Sequence, residues 1–245
     1  MATVIAGVSG AIGSALAQRY LSAHPAQPLI GLCRNPANAP AFLREHPAVT
    51  LLPWSAGELT AESLLEGVAS ALGEDGRIHT LIYAAGLLHE PGLFPEKRLE
   101  DLSGEHLMRV FQVNCVGFGE LVQALLPRLR GKHMKRIAAI SAKVGSISDN
   151  GLGGWYAYRC SKAALNMLVK NLSVELPRRL SPVACVALHP GTTESALSEP
   201  FQQSLAKLTV HTAGQTADNL FPILEGLTDQ DNGRFISWDG SDLPW

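Results

Sequence analysis

Two side chains four residues apart, Tyr158 and Lys162, are the pair in this sequence best suited to moving a proton. They lie in a stretch of helical period, so both project from one face of a helix. A free phenol titrates near about pH 10, too high for ready exchange at neutrality, and an ammonium within a few ångströms favours the phenolate. Such a phenol acts as a general acid toward a carbonyl oxygen or a general base toward an alcohol. Tyr156 is the rival, but the residue four positions on is Cys160, which supplies no cation. Chance alone would supply a Tyr-x-x-x-Lys pair in roughly one such sequence out of nine, and a solvated Lys beside a core Tyr is the bland alternative. The surrounding elements must therefore carry the reading.

Seven short runs are almost continuously apolar, at residues 3–8, 28–33, 49–54, 80–85, 136–141, 183–188 and 234–238. This is the pattern of parallel strands buried on both faces. Helical periodicity falls between them at 12–23, 36–45, 58–72, 104–126, 155–176 and 213–226, with Pro127 and Pro177 as stops. The alternation predicts an α/β fold: a doubly wound, seven-stranded parallel sheet with helices on both faces, as in a Rossmann-type domain. No repeat, low-complexity tract or linker divides the chain, so one domain spanning 1–245 is expected. Residues 190–208 show no clear strand and read either as a substrate-covering lid or as an ordinary surface loop.

The first strand runs into Gly7-Val8-Ser9-Gly10-Ala11-Ile12-Gly13, and a helix begins at once. Glycines there let the backbone turn tightly and approach a pyrophosphate, which the helix N-terminus stabilises. Gly7, Ser9, Gly10, Ala11, Ile12 and Gly13 are thus candidate cofactor contacts, although the spacing is not G-x-G-x-x-G and a plain strand-to-helix turn is the alternative. NAD sites usually carry an Asp or Glu about 20 residues beyond the glycines, on the ribose 2′-hydroxyl. Here Cys33 and Arg34 stand there, with no carboxylate until Glu45. A cation at that point complements a 2′-phosphate and favours NADP(H); a solvated surface Arg is the other reading.

Composition narrows the remaining classes. A net charge of −2 gives no basic field for nucleic acid or an anionic membrane. The four cysteines are widely spaced, which argues against a disulfide framework or zinc ribbon and for reduced thiols in a cytoplasmic protein. The N-terminus does not resemble a secretory signal, and no apolar run was expected to span a bilayer. The eight histidines lack ligand spacing, so no metal is expected and a metal-dependent hydrolase is disfavoured.

Several motifs arrive in order: the loop from Gly7 to Gly13, Ala84-Ala85-Gly86 after the fourth strand, Asn114, Tyr158 with Lys162, and Pro190-Gly191 after the sixth strand. On these the chain resembles the short-chain dehydrogenase/reductase family over essentially its whole length. The stretches Ser141–Ile147 and Trp155–Lys162 and the ending Trp238–Trp245 look most like its C-factor-like, carbonyl-reductase branch.

The resemblance implies hydride transfer between nicotinamide and a substrate carbon, with Tyr158 moving the proton and Lys162 also holding the ribose hydroxyls. It implies that Asn114 anchors a water in the proton relay, that Ala84, Ala85 and Gly86 line the cofactor, that Pro190 and Gly191 guide the backbone past the nicotinamide, and that the Thr193 amide meets the carboxamide.

Three positions depart from the family pattern. Ala11 replaces the middle glycine of the loop. Trp54-Ser55 stand where an adenine-contacting Asp is usual, so Trp54 either stacks on adenine or fills core. Alignment on Gly145 puts Ala142 where the catalytic Ser belongs, leaving Ser141, favoured here, or Ser146. Strand alternation would turn Ser141 away unless the strand end bends. Leu87, Leu88, Leu152 and Trp155 line an apolar pocket or pack as core. The leading expectation is an NADP(H)-dependent oxidoreductase acting on a small aldehyde or ketone, assembled as a homodimer or homotetramer through helices 104–126 and 155–176. The alternative is a dinucleotide-binding signalling protein of C-factor type with little turnover.

Overall fold

The computed structural model describes residues 1–58, 61–201 and 209–245. The strands are β1 (Ala2–Ala6), β2 (Leu29–Cys33), β3 (Val49–Pro53), β4 (Ile78–Tyr83), β5 (Lys135–Ile140), β6 (Val183–His189), β7 (Thr192–Thr193), β8 (Val210–His211) and β9 (Phe235–Ser237). The helices are α1 (Ala11–Ala23), α2 (Ala41–Glu45), α3 (Ala61–Leu72), α4 (Gly104–Phe111), α5 (Gly117–Leu125), α6 (Tyr156–Glu175), α7 (Pro177–Leu180) and α8 (Ala213–Gly226).

Seven strands form one parallel sheet in the order β3-β2-β1-β4-β5-β6-β9. Successive residues of β1 serve opposite layers: Val4 and Ala6 face Leu64, Phe118, Leu121 and Leu165, whereas Ile5 faces Leu16, Leu43, Leu220 and Leu224. Helices α3, α5 and α6 thus cover one face and α1, α2 and α8 the other. All seven expected strands are present, which explains why their sequences read as unbroken apolar runs.

The differences have local causes. The single helix expected over 36–45 is a 3-10 turn at Pro36–Asn38 followed by α2, separated at Pro40, which has no N–H to continue a helix. The helix expected over 104–126 contains a π turn at Gln112–Val116 between α4 and α5. Strands β7 and β8, two residues each, are too short to leave a periodic signal. Of the expected lid, Glu199–Phe201 is a 3-10 turn, and residues 202–208 lie outside the described residues.

Gly104–Leu129 forms a 26-residue helical run whose most apolar window has mean hydropathy 1.2, long and apolar enough to cross a membrane by those two measures alone. In the fold its Phe118, Leu121, Leu125 and Leu129 are buried in the core.

The chain's last segment folds back along β9. Ser237 N–H donates to Ser241 O and Leu243 N–H to Phe235 O, both at 2.8 Å, and the Trp245 ring stacks on Phe235.

Phe118 has no exposed surface and sits where α5 meets the sheet. Phe118→Ala is expected to cost about 3–5 kcal/mol. Thermal denaturation should show a Tm lower by roughly 10 °C, at about 2–4 °C per kcal/mol for a chain of this size.

Candidate active site

The strand order reverses between β1 and β4, and the crevice this opens at their carboxyl ends is where ligands bind in such sheets. The loops that follow the two strands touch there. Gly7 has φ +81°, and a Cβ on it would lie 2.6 Å from Ala85 N. A Cβ on Gly13 would lie 2.2 Å from Gly7 O, so α1 starts hard against the loop. Ala84 N–H donates to Ala6 O, tying the Ala84-Ala85-Gly86 turn to β1. Gly10 caps α1 without a side-chain acceptor, and the first turn holds no acidic residue. This leaves the helix end free to offer N–H groups and its positive pole to an anion. Ser9 and Gly10 are exposed, and Ala11 and Ile12 partly so.

Arg34 is exposed just beyond β2 and makes no ion pair among the described residues. Glu90 is held below its ordinary range first by its bond to Arg109 (2.9 Å) and more weakly by Arg34. Of the two readings of Trp54 the structure shows core packing: it is buried with its ring edge-on to Tyr83 at 5.9 Å, inside the α3/α5 core.

Helix α6 carries Tyr158 and Lys162 one turn apart, as the spacing predicts, and Asn166 one turn further. Lys162 is 3% exposed; its Nζ donates to Ile140 O (2.8 Å) and lies 5.7 Å from the Tyr158 ring centroid. Asn114 sits in the π turn. Its Oδ1 accepts from Leu87 N–H (2.7 Å), and its Nδ2 donates to Leu87 O (2.8 Å) and to Ser161 Oγ (2.9 Å). Ser161 Oγ in turn donates to the Tyr158 carbonyl. The neighbouring carbonyl of Val113 accepts from the Tyr83 hydroxyl. Asn114 thereby bolts the β4 loop to α6.

The electrostatics differ from the simplest expectation. Burial pushes the Tyr158 phenol up to about 12 and the Lys162 ammonium down to about 8. Tyr158 is partly exposed, yet the protein around it is dense enough that desolvation, not attraction to Lys162, sets the direction.

Neither serine candidate presents a free hydroxyl. Ser141 is buried and its Oγ donates to Asn166 Oδ1 at 2.6 Å, so the strand end does not bend it outward. Ser146 is buried too, with its Oγ 3.4 Å from Ser148 Oγ and accepting from Asp149 N–H. Ala142 occupies the partly exposed position between Ser141 and the Lys143–Gly145 turn.

On the far side, Pro190 is buried and Gly191 has φ +75°, with a would-be Cβ 3.1 Å from His211 Nδ1. The Thr193 hydroxyl is paired with Thr216 Oγ1 at 2.8 Å. His89 Nε2 meets Ala196 O at 2.9 Å, linking the β4 loop to the segment after β7. Of the apolar candidates, Trp155 stands edge-on to Tyr158 (6.2 Å), Leu87 packs on Leu93, Val110 and Ala157, Leu88 is core, and Leu152 is 91% exposed. Glu96, Ser161 and Asn166 join the site through the fold; of the three, only Asn166 carries a signal in the sequence, since it continues the four-residue spacing of Tyr158 and Lys162.

The depressed Lys162 value carries a stability consequence. The shift from 10.5 to about 8 corresponds to about 3 kcal/mol. Below pH 8 the folded and unfolded chains both carry the charge, and the folded state bears the full burial cost. Between 8 and 10.5 the unfolded chain holds the proton more tightly, so the cost fades as pH rises. Lys162→Met should therefore raise Tm by several degrees at pH 7 and by almost nothing near pH 10.5, as calorimetry across pH would show, while removing any activity that needs the ammonium.

Comparisons with known proteins agree with this architecture. Residues 1–206 match the family described as short chain dehydrogenase. The chain is 33% identical over 147 residues to C-signal of Myxococcus xanthus, covering 60% of this chain and 83% of that one. Among solved structures, the NADPH-bound carbonyl reductase from chicken fatty liver superposes with TM-score 0.85 at 24% identity, over 100% of this chain and 94% of that chain. Carbonyl reductase Sniffer of D. melanogaster gives the same score and identity over 100% and 99%. With a family match over most of its length and this fold, the chain belongs to the short-chain dehydrogenase family and is an oxidoreductase.

Proposed function

We propose that the protein is an NADP(H)-dependent reductase of aldehydes or ketones in which Tyr158 delivers the proton. The observation that carries this is the Lys162 ammonium, anchored on Ile140 O and lying beside the Tyr158 ring. A phenol near 12 is protonated throughout the neutral range, the form required when a carbonyl oxygen gains charge and must take a proton. NADPH, when bound, supplies the hydride. The residues fit it: Gly7 and Gly13 let the loops after β1 and β4 and the start of α1 close tightly on one another, the uncapped start of α1 suits a pyrophosphate, and Arg34 suits a 2′-phosphate. Lys162 steadies the phenolate left behind, and Asn114 holds the loop after β4 against α6. The NADPH of the chicken carbonyl reductase supports the choice of cofactor by similarity of fold. Association into a homodimer or tetramer belongs to the same reading, supported by exposed Met108 on α4 and Met167 on α6.

A second reading, a dinucleotide-binding signalling protein, is favoured by Ala142 in the serine position and by the likeness to C-signal. NADPH consumption with a panel of small carbonyls separates the two. Tyr158→Phe should lower kcat by about 10²-fold or more with NADPH affinity retained. In the wild type, kcat should hold below pH 8 and fall above it as Lys162 loses its proton. NADPH binding without turnover of any carbonyl would sink the reductase reading in favour of the second. For the cofactor, Arg34→Asp should raise the KM for NADPH roughly 10- to 100-fold, the worth of one charge-assisted bond, and leave that for NADH nearly unchanged.

A further inference from the structure

We propose that Glu96 is a positioning residue for the catalytic helix, its buried carboxylate capping α6 and fixing the angle at which Tyr158 enters the cleft. The inference rests on the reading of Tyr158 as proton donor.

Most helices take an N-cap acceptor from Ser, Thr, Asp or Asn at their own start. The cap residue of α6 is Trp155, which makes no side-chain cap bond, and the first turn holds no acidic residue. The acceptors come instead from a distant part of the chain. Glu96 Oε2 accepts from Ala157 N–H at 3.2 Å, and the Glu96 carbonyl accepts from Trp155 N–H at 2.6 Å. One residue thus holds both ends of the cap.

The backbone held this way is unusual. Gly153, Gly154 and Trp155 are successively left-handed, at φ +64°, +64° and +50°. Glycine tolerates this region, but a bulky side chain stays there only when its surroundings over-determine it. Arg159 secures the turn from the other side, with Nε donating to Gly153 O (3.1 Å) and Nη1 to Val144 O (3.4 Å). The Trp155 ring then lies edge-on to Tyr158 at 6.2 Å. A relaxed Trp155 would swing the ring that walls the phenol and let the first turn of α6 fray.

Glu96 is 3% exposed, and its Oε1 is buried with no hydrogen-bond partner. A carboxylate with half its acceptor capacity unused is a costly cap, and an exposed Ser or Asp in the loop would satisfy a helix end at less cost. Local rules are broken in this way where geometry matters more than stability.

The test compares Glu96→Ala, Glu96→Asp and Glu96→Gln in the full chain. It measures kcat, KM, NADPH affinity by fluorescence titration, and the 13Cζ resonance of Tyr158 in tyrosine-labelled protein, assigned with Tyr158→Phe. Asp falls one methylene short of Ala157, while Gln keeps an oxygen at the same reach. Ala and Asp should lower kcat roughly ten- to a hundred-fold, shift or split the Tyr158 resonance, and change NADPH affinity less than about two-fold. Gln should recover kcat to within a few-fold of wild type and leave the resonance in place. An unmoved Tyr158 resonance in Asp, or Asp performing as well as Gln, would overturn the proposal. Should Ala fail to fold, the Asp and Gln pair still decides it. Should the wild type turn over no carbonyl, the reductase reading fails, while the resonance still reports on Glu96.

Discussion

Taking the ammonium of Lys162 out of water costs several kcal/mol unless hydrogen bonds replace its hydration, and much of the local architecture serves that requirement. Ile140 O is free to accept a hydrogen bond from Lys162 Nζ because β5 ends there and the chain turns through Lys143–Gly145. The turn sits so close to α6 that a Cβ on Gly145 would lie 2.7 Å from the Lys162 Cβ. One helical turn deeper, Asn166 accepts from Ser141 Oγ and donates to Gly145 O, so the same strand end is fastened twice. Strand end, tight turn and helix form one unit around the cation, which is held there at a cost to stability.

A second junction completes the site from the opposite side. The loop after β4 has no regular structure to hold it, and the Asn114 amide provides the clamp by exchanging bonds with both backbone groups of Leu87. That is possible because the helix between α4 and α5 widens into a π turn, a feature frequent at functional sites. The Tyr83 hydroxyl, pointing from the end of β4, meets the Val113 carbonyl within that widened turn. The two junctions converge on α6, one on the main chain of Tyr158 through Ser161 and the other on Lys162.

The strands were legible because burial on both faces imposes an unbroken apolar run, and Tyr158 with Lys162 because helical spacing is rigid. What stayed hidden depends on the third dimension. Trp54 at the end of a strand looks the same in sequence whether its ring meets adenine or Tyr83; only packing decides. Ser141 follows strand alternation inward to Asn166, a partner 25 positions away. Sequence shows that Tyr158 and Lys162 are neighbours but not how much water surrounds them, so the expected lowering of the phenol gave way to desolvation. Glu96 lies 61 residues before the N–H it caps and has no motif around it.

The backward fold of the last residues along β9 bears on how the molecule meets others of its kind. An open strand edge is a template for pairing with another chain. At β9 the template is already occupied: the 241–243 segment takes the bonds of Phe235 and Ser237, and Trp245 seals it by stacking on Phe235. The other rim, β3, ends in Pro53, which lacks a donor, and is only five residues long. Strand addition at the β9 rim therefore requires residues 241–245 to peel away first, and at the β3 rim it meets a short ladder with a gap. Both edges of the sheet are thus guarded against strand addition, each by a different means.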